Sequence, residues 1–228
     1  MNDVKHLLLD YPEYKDAKLA LSKCNCHKDF EIDGKSVLNS FYGALFTASA
    51  LIDLMNSVDY ACRFSTIDNN QSFPIFIHGP FGIFFHNPVR PKPSYYAFKM
   101  FNSMSKMEYV IWSSADNKHI DVISGRAANS MCIIIDDMNY GLSKIEVYVK
   151  NLPWKQAYYK IIVLNQSNYD SGNALDILKK GSIKIENGEL YITFESDGLS
   201  LYLIEINGHM KVTTENSLYA INKILTPL

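Results

Sequence analysis

The second half of the sequence is a succession of short segments in which apolar and polar residues alternate. Eight of these segments lie between residues 107 and 206: EYVIWSS, HIDVIS, MCIIID, KIEVYVK, YYKIIVL, SIKI, LYITF and LSLYLIEI. Turn-forming residues separate them, and Asn187-Gly188 is typical of a two-residue hairpin because both turn positions need a positive φ. Alternation with a period of two is that of strands with one buried face. Residues 107–210 are therefore predicted to form an antiparallel β-sandwich, followed by a C-terminal tail at 211–228.

The first half of the sequence predicts helices between strands. Residues 35–57 place apolar side chains on one broad stripe at helical spacing. A second helix is predicted from about Pro93 to Met104, because proline fits the first turn of a helix. Apolar segments at 17–25 and 58–68 predict buried strands, and the order strand, helix, strand, helix indicates parallel βα units. The stripe of the first helix consists of Val37, Leu38, Phe41, Leu45, Ala48, Leu51, Ile52 and Met55.

Two βα units alone leave strand edges unpaired and sheet faces uncovered. Residues 1–106 are therefore expected to belong to a larger closed sheet, which would make the chain a piece of a longer protein. The alternative is a self-sufficient α+β domain in which the helices pack on the sandwich.

Charge and hydropathy exclude several classes of partner. The formal net charge is −2, and no run of Lys or Arg forms a basic stripe, so direct nucleic-acid contact by this segment is not expected. No apolar run approaches the span of a bilayer, and the first residues do not resemble a signal peptide. We expect a cytoplasmic protein that neither binds nor crosses a membrane.

The four cysteines, Cys24, Cys26, Cys62 and Cys132, have neither the spacing of a disulfide scaffold nor that of a zinc site. They are interpreted as reduced thiols. Cys24 and Cys26 with His27 form one C-x-C-H cluster, which supplies too few ligands for a closed metal site. No metal and no cofactor are predicted.

The stretch FIHGPFGIFFHNPVRPKPSYYAFKMFNSM, residues 76–104, resembles the signature of family 39 glycoside hydrolases of the β-xylosidase type. In that family, a loop rich in glycine, histidine and phenylalanine leads into a KPxYYAF helix. Residues 58–68 are similar to the eighth barrel strand. Asp68 matches an aspartate of the family, whereas Phe64 stands where the family has a tryptophan. Residues 169–177 are similar to a segment of the accessory sandwich. The matching signature residues are His78, Gly79, Phe81, Gly82, Lys92, Pro93, Tyr95, Tyr96, Ala97 and Phe98.

The resemblance covers roughly residues 1–206. It implies an α/β plus all-β fold, namely the last two βα units of a partial (β/α)8 barrel at 1–106 followed by the β-sandwich.

The same resemblance places Lys23 where the family has its catalytic nucleophile. The segment LSKCN at 21–25 falls on the family motif threonine-glutamate-tryptophan-asparagine, so Asn25 takes the asparagine position. A retaining glycosidase needs two carboxyl groups about 5 Å apart, and a protonated lysine cannot attack the anomeric carbon. The family's asparagine-glutamate-proline motif, which carries the acid/base, does not occur in the chain. The resemblance therefore predicts no catalytic residue.

The remaining site residues implied by the resemblance form a vestigial cleft of Lys23, Asn25, Asp68 and His78. His78, His86 and Phe64 are predicted as possible contacts to a sugar. Structural roles compete with these: His78 could hold its own loop, Lys23 could form a salt bridge, and Asp68 could position a loop. Glu31 and Asp33 flank Gly34 in a polar loop and are interpreted as solvated capping residues rather than replacement catalytic groups.

Three functions follow from these observations. The first is a non-catalytic domain that senses a ligand or has a structural role, of the kind that resembles family 39 enzymes at the C-terminus of AraC-type transcriptional regulators. The second is the C-terminal fragment of a β-xylosidase-like glycosidase. The third is a carbohydrate-binding module with aromatic platforms such as Trp112 or Trp154. A carbohydrate ligand, and either a homodimer or contact with missing upstream domains, are the expected partners.

Overall fold

The computed structural model describes residues 10–14, 16–26, 31–32, 35–55, 57–63, 65–68, 82–85 and 88–209. The predicted tail at 211–228 lies outside the described residues. The fold is mixed α/β and is dominated by one large antiparallel sheet. No helix in the described part of the chain is long and apolar enough to cross a membrane.

The first half of the chain contains two helices and several short strands. Strands β1 and β4 are hydrogen-bonded in parallel, with Ala20 beside Tyr60 and Cys24 beside Arg63. This pairing across a helix confirms the prediction of a parallel βα unit. The elements are β1 (Ala20–Cys24), β2 (Glu31–Ile32), β3 (Lys35–Ser36), α1 (Tyr42–Met55), β4 (Tyr60–Arg63), β5 (Phe84–Phe85), β6 (Arg90–Pro91) and α2 (Pro93–Phe101).

Helix α1 begins later than its apolar pattern predicts. Val37–Asn39 forms a separate 3-10 turn, and the α-helix starts at Tyr42. The turn folds tightly against the helix start, since a Cβ on Gly43 would lie 2.6 Å from the Val37 carbonyl oxygen. The apolar stripe is nevertheless correct in its first half, because Val37 and Leu38 are buried together with the next three positions of the stripe. Those positions are Phe41, Leu45 and Ala48.

Helix α2 agrees closely with its prediction. Pro93 occupies the first helical turn, where its missing N–H is not needed. The helix ends at Phe101, and a 3-10 turn at Met104–Lys106 completes the segment that had been predicted as one helix.

The prediction that β1 and β4 are buried is wrong. Tyr60 is 61% exposed, and Ala61 and Cys62 beside it are also exposed. Strand β1 has only half-buried and exposed positions. Helix α1 covers one side of this strand pair, and the described residues place no further strand beside it. The alternating pattern indicated strands correctly but does not show which elements cover them.

The large sheet contains every strand from β7 onward. Its spatial order is β11, β10, β12, β9, β8, β7, and all neighbouring pairs are antiparallel. A short helix α3 (Gln166–Asp170) follows the strand β10 and has Asn165 as its N-cap. The strands are β7 (Tyr109–Ile111), β8 (Ile120–Arg126), β9 (Ser130–Val149), β10 (Gln156–Leu164), β11 (Asp176–Lys184) and β12 (Leu190–His209).

Strands β9 and β12 are long and sharply bent. Each has 20 residues, and they pair with each other along most of their length. Residues from both ends of β9, such as Ile133 and Val147, belong to the same hydrophobic cluster. The strands bend enough to bring the Phe194 ring within 4.9 Å of the Tyr202 ring, and the cluster fills the inside of the bend. Trp154 and Leu152 are also part of this cluster.

A buried polar network holds the bend of β9 and β12. The Asp137 carboxylate accepts hydrogen bonds from Ser196 Oγ at 2.6 Å and from the backbone N–H of Asn139 at 3.0 Å. Tyr202 donates its hydroxyl to Ser196 Oγ at 2.8 Å. Gly198 has φ +76°, and a Cβ there would lie 2.6 Å from the Asn139 carbonyl oxygen. The bend thus needs glycine both for its backbone angle and for space.

The opposite face of the sheet is covered by the helices. A second hydrophobic cluster joins Ala44 and Leu45 of α1 and Met100 of α2 to Ile134 of β9 and Leu203 of β12. Residues 131–137 of β9 are consequently buried without alternation, because both faces of the strand are covered at that point. The helices of the first half and one face of the sheet of the second half therefore pack together in this cluster.

The predicted hairpin at Asn187-Gly188 is confirmed as a turn but not as a strand pair. Both residues have positive φ, +54° and +76°. Only a single bridge, between Glu186 and Glu189, joins the two sides of the turn. Strand β10 then lies between β11 and β12, because the bend carries the second half of β12 away from β11 and toward β10.

Asp136 is a buried carboxylate beneath α1. It is 0% exposed, and neither of its oxygens has a hydrogen-bond partner among the described residues. Asp121 lies beside it on β8 and accepts a hydrogen bond from Ser49 Oγ of α1 at 2.7 Å. Burial raises the pKa of Asp136 well above its usual range, and the charges of Asp121 and Asp137 add to this effect.

We expect Gly198→Ala to destabilise the protein more than Gly141→Ala. Both glycines have positive φ, so each substitution carries a backbone penalty of roughly 1–2 kcal/mol. Only at Gly198 does the added methyl group collide with backbone atoms, while the space around Gly141 is open. Urea unfolding should show an additional loss of about 1–3 kcal/mol for Gly198→Ala. Equal losses would mean that the bend does not require close contact.

We expect Asp136→Asn to reduce the pH dependence of stability. The folded-state pKa of Asp136 is raised, so its contribution is fully present below the unfolded pKa of about 3.9 and is lost as pH rises through the folded value. Each pKa unit by which folding raises the value of Asp136 corresponds to about 1.4 kcal/mol in the pH dependence of the free energy of unfolding. Urea unfolding from pH 4 to pH 8 should show a smaller decline for the variant.

Asp137→Asn is the matched control for this prediction. Asp137 is equally buried but accepts hydrogen bonds, so its replacement should destabilise the fold throughout the pH range. Parallel pH profiles for the wild type and Asp136→Asn would contradict the prediction.

Candidate functional site

Lys23 and Asn25 lie at the C-terminal end of β1. The Lys23 side chain is exposed, and Asn25, directly after the strand, is half-buried. Asn25 Oδ1 accepts a hydrogen bond from the Cys26 backbone N–H at 3.0 Å, which fixes the chain as it leaves the strand. Neither β1 nor β4 contains an aspartate or glutamate. These strands therefore carry no carboxylate that could replace a nucleophile at Lys23.

Asp68 is buried a few residues after β4, and one of its carboxylate oxygens makes two contacts. Its Oδ1 lies 2.6 Å from Lys92 Nζ and accepts the Gly82 backbone N–H at 2.8 Å. Lys92, the residue before α2, is 0% exposed. We call this group of Asp68, Gly82 and Lys92 the Asp68–Lys92 clamp.

The electrostatics of the clamp are those of a tightly buried ion pair. Burial lowers the pKa of Lys92, while the hydrogen bond and the charge of Asp68 oppose that effect. The nearby Arg63 lowers the pKa further through charge repulsion. A buried pair of this kind positions the segments that it joins, because loss of either partner leaves the other charge buried and uncompensated.

Close packing around the clamp restricts which residues fit there. A Cβ on Gly82 would lie 2.3 Å from the Asp68 backbone nitrogen, so only glycine fits there. The backbone N–H of Lys92 donates to the Ile83 carbonyl at 2.9 Å. The Phe85 ring lies 4.9 Å from Lys92 Nζ, a distance at which ring and cation attract each other. The clamp therefore joins the end of β4, the β5 segment and the start of α2.

Tyr169 connects the clamp region to the large sheet. Its hydroxyl donates to the Pro91 carbonyl at 3.0 Å, and its ring packs edge-to-face on Tyr96 at 6.2 Å. Tyr169 belongs to α3, in the second segment that carries the resemblance. Two of the segments that carry the resemblance are thus in direct contact, and their contacts serve packing.

The structure places only part of the predicted cleft. Lys23, Asn25 and Asp68 follow parallel strands at the same edge, but the Asp68 carboxylate is occupied within the clamp. His78, His86 and Phe64 lie outside the described residues. The roles of these residues in binding a ligand therefore stay predictions.

The two tryptophans differ sharply in exposure. Trp154 is 2% exposed, packs against Gly208 and donates its indole N–H to the Ala128 carbonyl. The suggestion that Trp154 forms a sugar-binding platform is therefore wrong, since its ring is buried in the hydrophobic cluster. Trp112, which follows β7, is 88% exposed and keeps a free ring face.

Arg63 is the residue near this site that sequence reasoning missed. It ends β4 beside Cys24 and donates to the Thr47 hydroxyl of α1. Burial lowers the pKa of Arg63, and Cys26 and Cys24 partly oppose the shift. An arginine within an otherwise apolar strand was the available signal.

No known sequence family and no curated protein matches the chain. Solved structures do match it. A GH39 enzyme from Xanthomonas axonopodis pv. citri superimposes with a TM-score of 0.65 at 11% identity, covering 91% of this chain and 48% of that one. The fold is like that of family 39 glycoside hydrolases.

Two further structures extend this likeness. A monomeric beta-xylosidase from Caulobacter crescentus CB15 matches with a TM-score of 0.61 at 15% identity, covering 92% of this chain and 50% of that one. A glucosidase from Croceicoccus marinus matches with a TM-score of 0.67 at 17% identity, covering 92% and 49%. The chain spans about half the length of these proteins. Identities this low show a common fold and do not show a common activity.

We expect the two charges of the clamp to be strongly coupled. Asp68→Asn and Lys92→Met should each destabilise the protein by about 3–5 kcal/mol, because each leaves a buried charge without its partner. The double variant should lose clearly less than the sum of the two, as urea unfolding of all four proteins would measure.

Lys184→Met is the control for the clamp variants. Lys184 pairs with Glu186 on the surface, where both side chains are largely exposed. The unfolding midpoint should therefore not change measurably. Additive effects of Asp68→Asn and Lys92→Met would show that the clamp is not a coupled pair.

Proposed function

We propose that this chain is a non-catalytic, glycoside hydrolase-like module of a larger protein. The observation that carries the proposal is Lys23, which stands at the nucleophile position implied by the resemblance. The strands β1 and β4 contain no acidic residue, and the carboxylate of Asp68 is already bonded to Lys92. Without two suitably spaced carboxylates, neither step of a retaining mechanism can proceed.

The architecture that we propose for this module is a partial (β/α)8 barrel followed by a β-sandwich. Parallel β1 and β4 with α1 and α2 would be the last two barrel units. The doubled-over β9 and β12 would form the second layer of the sandwich. The half-length match to the solved structures supports this assignment, since a barrel needs further strands from another segment.

A bacterial AraC-type transcriptional regulator is our proposal for the parent protein. The module would serve there as a carbohydrate-sensing or structural domain in the cytoplasm. DNA contact would belong to a separate domain, which agrees with the net charge of −2 and the absence of a basic stripe in this sequence. The open edges of β1 and β4 favour pairing, either with missing upstream strands or with a second copy.

Two alternatives each have one observation in their favour. The half-length match favours a C-terminal fragment of a β-xylosidase-like glycosidase, with the remaining barrel supplied by another segment. The exposed ring of Trp112 favours a carbohydrate-binding module, because an uncovered aromatic face can stack on a sugar.

We expect no hydrolysis of nitrophenyl β-xyloside by the wild-type chain or by Lys23→Glu. Restoring one carboxylate does not supply the acid/base, so Lys23→Glu should stay inactive in a sensitive absorbance assay. Turnover by the wild type that disappears in Lys23→Ala would overturn the proposal and favour the glycosidase fragment.

Calorimetric titration with xylobiose distinguishes the remaining possibilities. Binding that is lost in Trp112→Ala, but kept in Tyr109→Ala, would favour a carbohydrate-binding module. Tyr109 is a suitable control because it is an exposed aromatic residue of β7, the edge strand that directly precedes Trp112.

A further inference from the structure

Arg63 is a half-buried residue whose guanidinium group has incomplete hydrogen bonds within the described residues. Its Nη1 donates to the Thr47 hydroxyl, and that hydroxyl in turn donates to the Gly43 carbonyl of α1. The Nε and Nη2 atoms are buried and have no hydrogen-bond partner in the described part of the chain. Guanidinium stays protonated in proteins, so these donors cannot be relieved by loss of a proton. Unsatisfied buried donors of a charged group are costly, which favours a bound acceptor.

A small cavity adjoins this guanidinium. It has a volume of about 30 Å³ and lies between α1 and the β1–β4 pair. None of the residues that line it carries a carboxylate. Apart from Arg63 and Thr47, its walls are apolar side chains and thiols, including Phe46, Leu51, Leu54, Phe98, Cys24 and Cys62.

Two cationic side chains lie near each other beside the cavity. Arg63 and Lys92 are close enough that the charge of Arg63 lowers the pKa of Lys92. The only acidic partner shown for this pair of cations in the described residues is Asp68, which is bound to Lys92. Cys26 does not compensate for Arg63, since burial raises the pKa of its thiol and keeps it neutral. No acidic side chain among the described residues is shown bound to Arg63.

We propose that Arg63 binds a small monovalent anion in this cavity, of the size of chloride or formate. The size of the cavity sets the upper limit, because one water needs roughly 10–15 Å³ by the same measure. Nε and Nη2 donate from the same edge of the guanidinium group. That edge can bind both oxygens of a carboxylate or a single halide ion. Water would satisfy the donors but not the charge. The anion would join the end of β4 to α1, and its binding does not depend on whether the module recognises a carbohydrate.

The test compares stability in different sodium salts at equal ionic strength. The urea midpoint of the wild-type chain should rise with the concentration of chloride or formate relative to gluconate, which is too large for the cavity. A ligand that binds only the folded state produces this logarithmic dependence. Arg63→Met should lose the difference between the salts, while Arg126→Met, which removes a different half-buried arginine, should keep it.

Chlorine-35 NMR provides a direct measurement on the folded wild type. The chloride line should broaden in the presence of the protein and sharpen again when formate is added. This measurement remains available if Arg63→Met fails to fold. Equal midpoints in chloride and gluconate, a salt difference that persists in Arg63→Met, or a line width unaffected by formate would each overturn the proposal.

Discussion

The buried ion pair between Asp68 and Lys92 is the interaction that organises the first half of the molecule. It fixes where the chain goes after β4, how close the Gly82 backbone comes, and where α2 begins. Because α2 packs on the large sheet and Pro91 is held by Tyr169, the position of the clamp is transmitted to the second half. The most specific stretch of the sequence is therefore explained by its contribution to folding.

Helix α1 has an unusual position between two layers. On one side Thr47 accepts from Arg63, and on the other Ser49 donates to Asp121 beside the unpartnered Asp136. The helix thus contacts a cationic side chain on one side and carboxyl groups on the other. Apolar burial by Ala44, Leu45 and Ala48 holds the helix in place despite these costs, which is consistent with its apolar character on most sides. The helix contributes much of the contact between the βα segment and the sheet.

Local patterns in the sequence were enough to predict the elements but not their neighbours. Pro93 marked the start of α2, and the positive φ values at Asn187 and Gly188 followed from residue type. The pairing of β10 between β11 and β12 did not follow, because it depends on a bend near Gly198 that no periodicity reveals.

The candidate site was only partly accessible to sequence reasoning, for the same reason. Lys23 was found by resemblance. The partnership of Asp68 with Lys92 spans 24 positions, and the isolation of Arg63 depends on what surrounds it in space. Neither relation has a local signal, since each is formed when distant segments meet.

The long pairing of β9 with β12 also has a consequence for synthesis of the chain. Ser130 pairs with Asn207, and Cys132 with Glu205. The first part of β9 therefore has no partner on this side until more than seventy further residues have been synthesised. At roughly 5–20 residues per second, this interval lasts several seconds. During that time the run Met-Cys-Ile-Ile-Ile at 131–135, which lacks charge and proline, has no native partner on that side. Such a segment is prone to aggregate, and the early pairing of β8 with β9 would be its main protection in the cell.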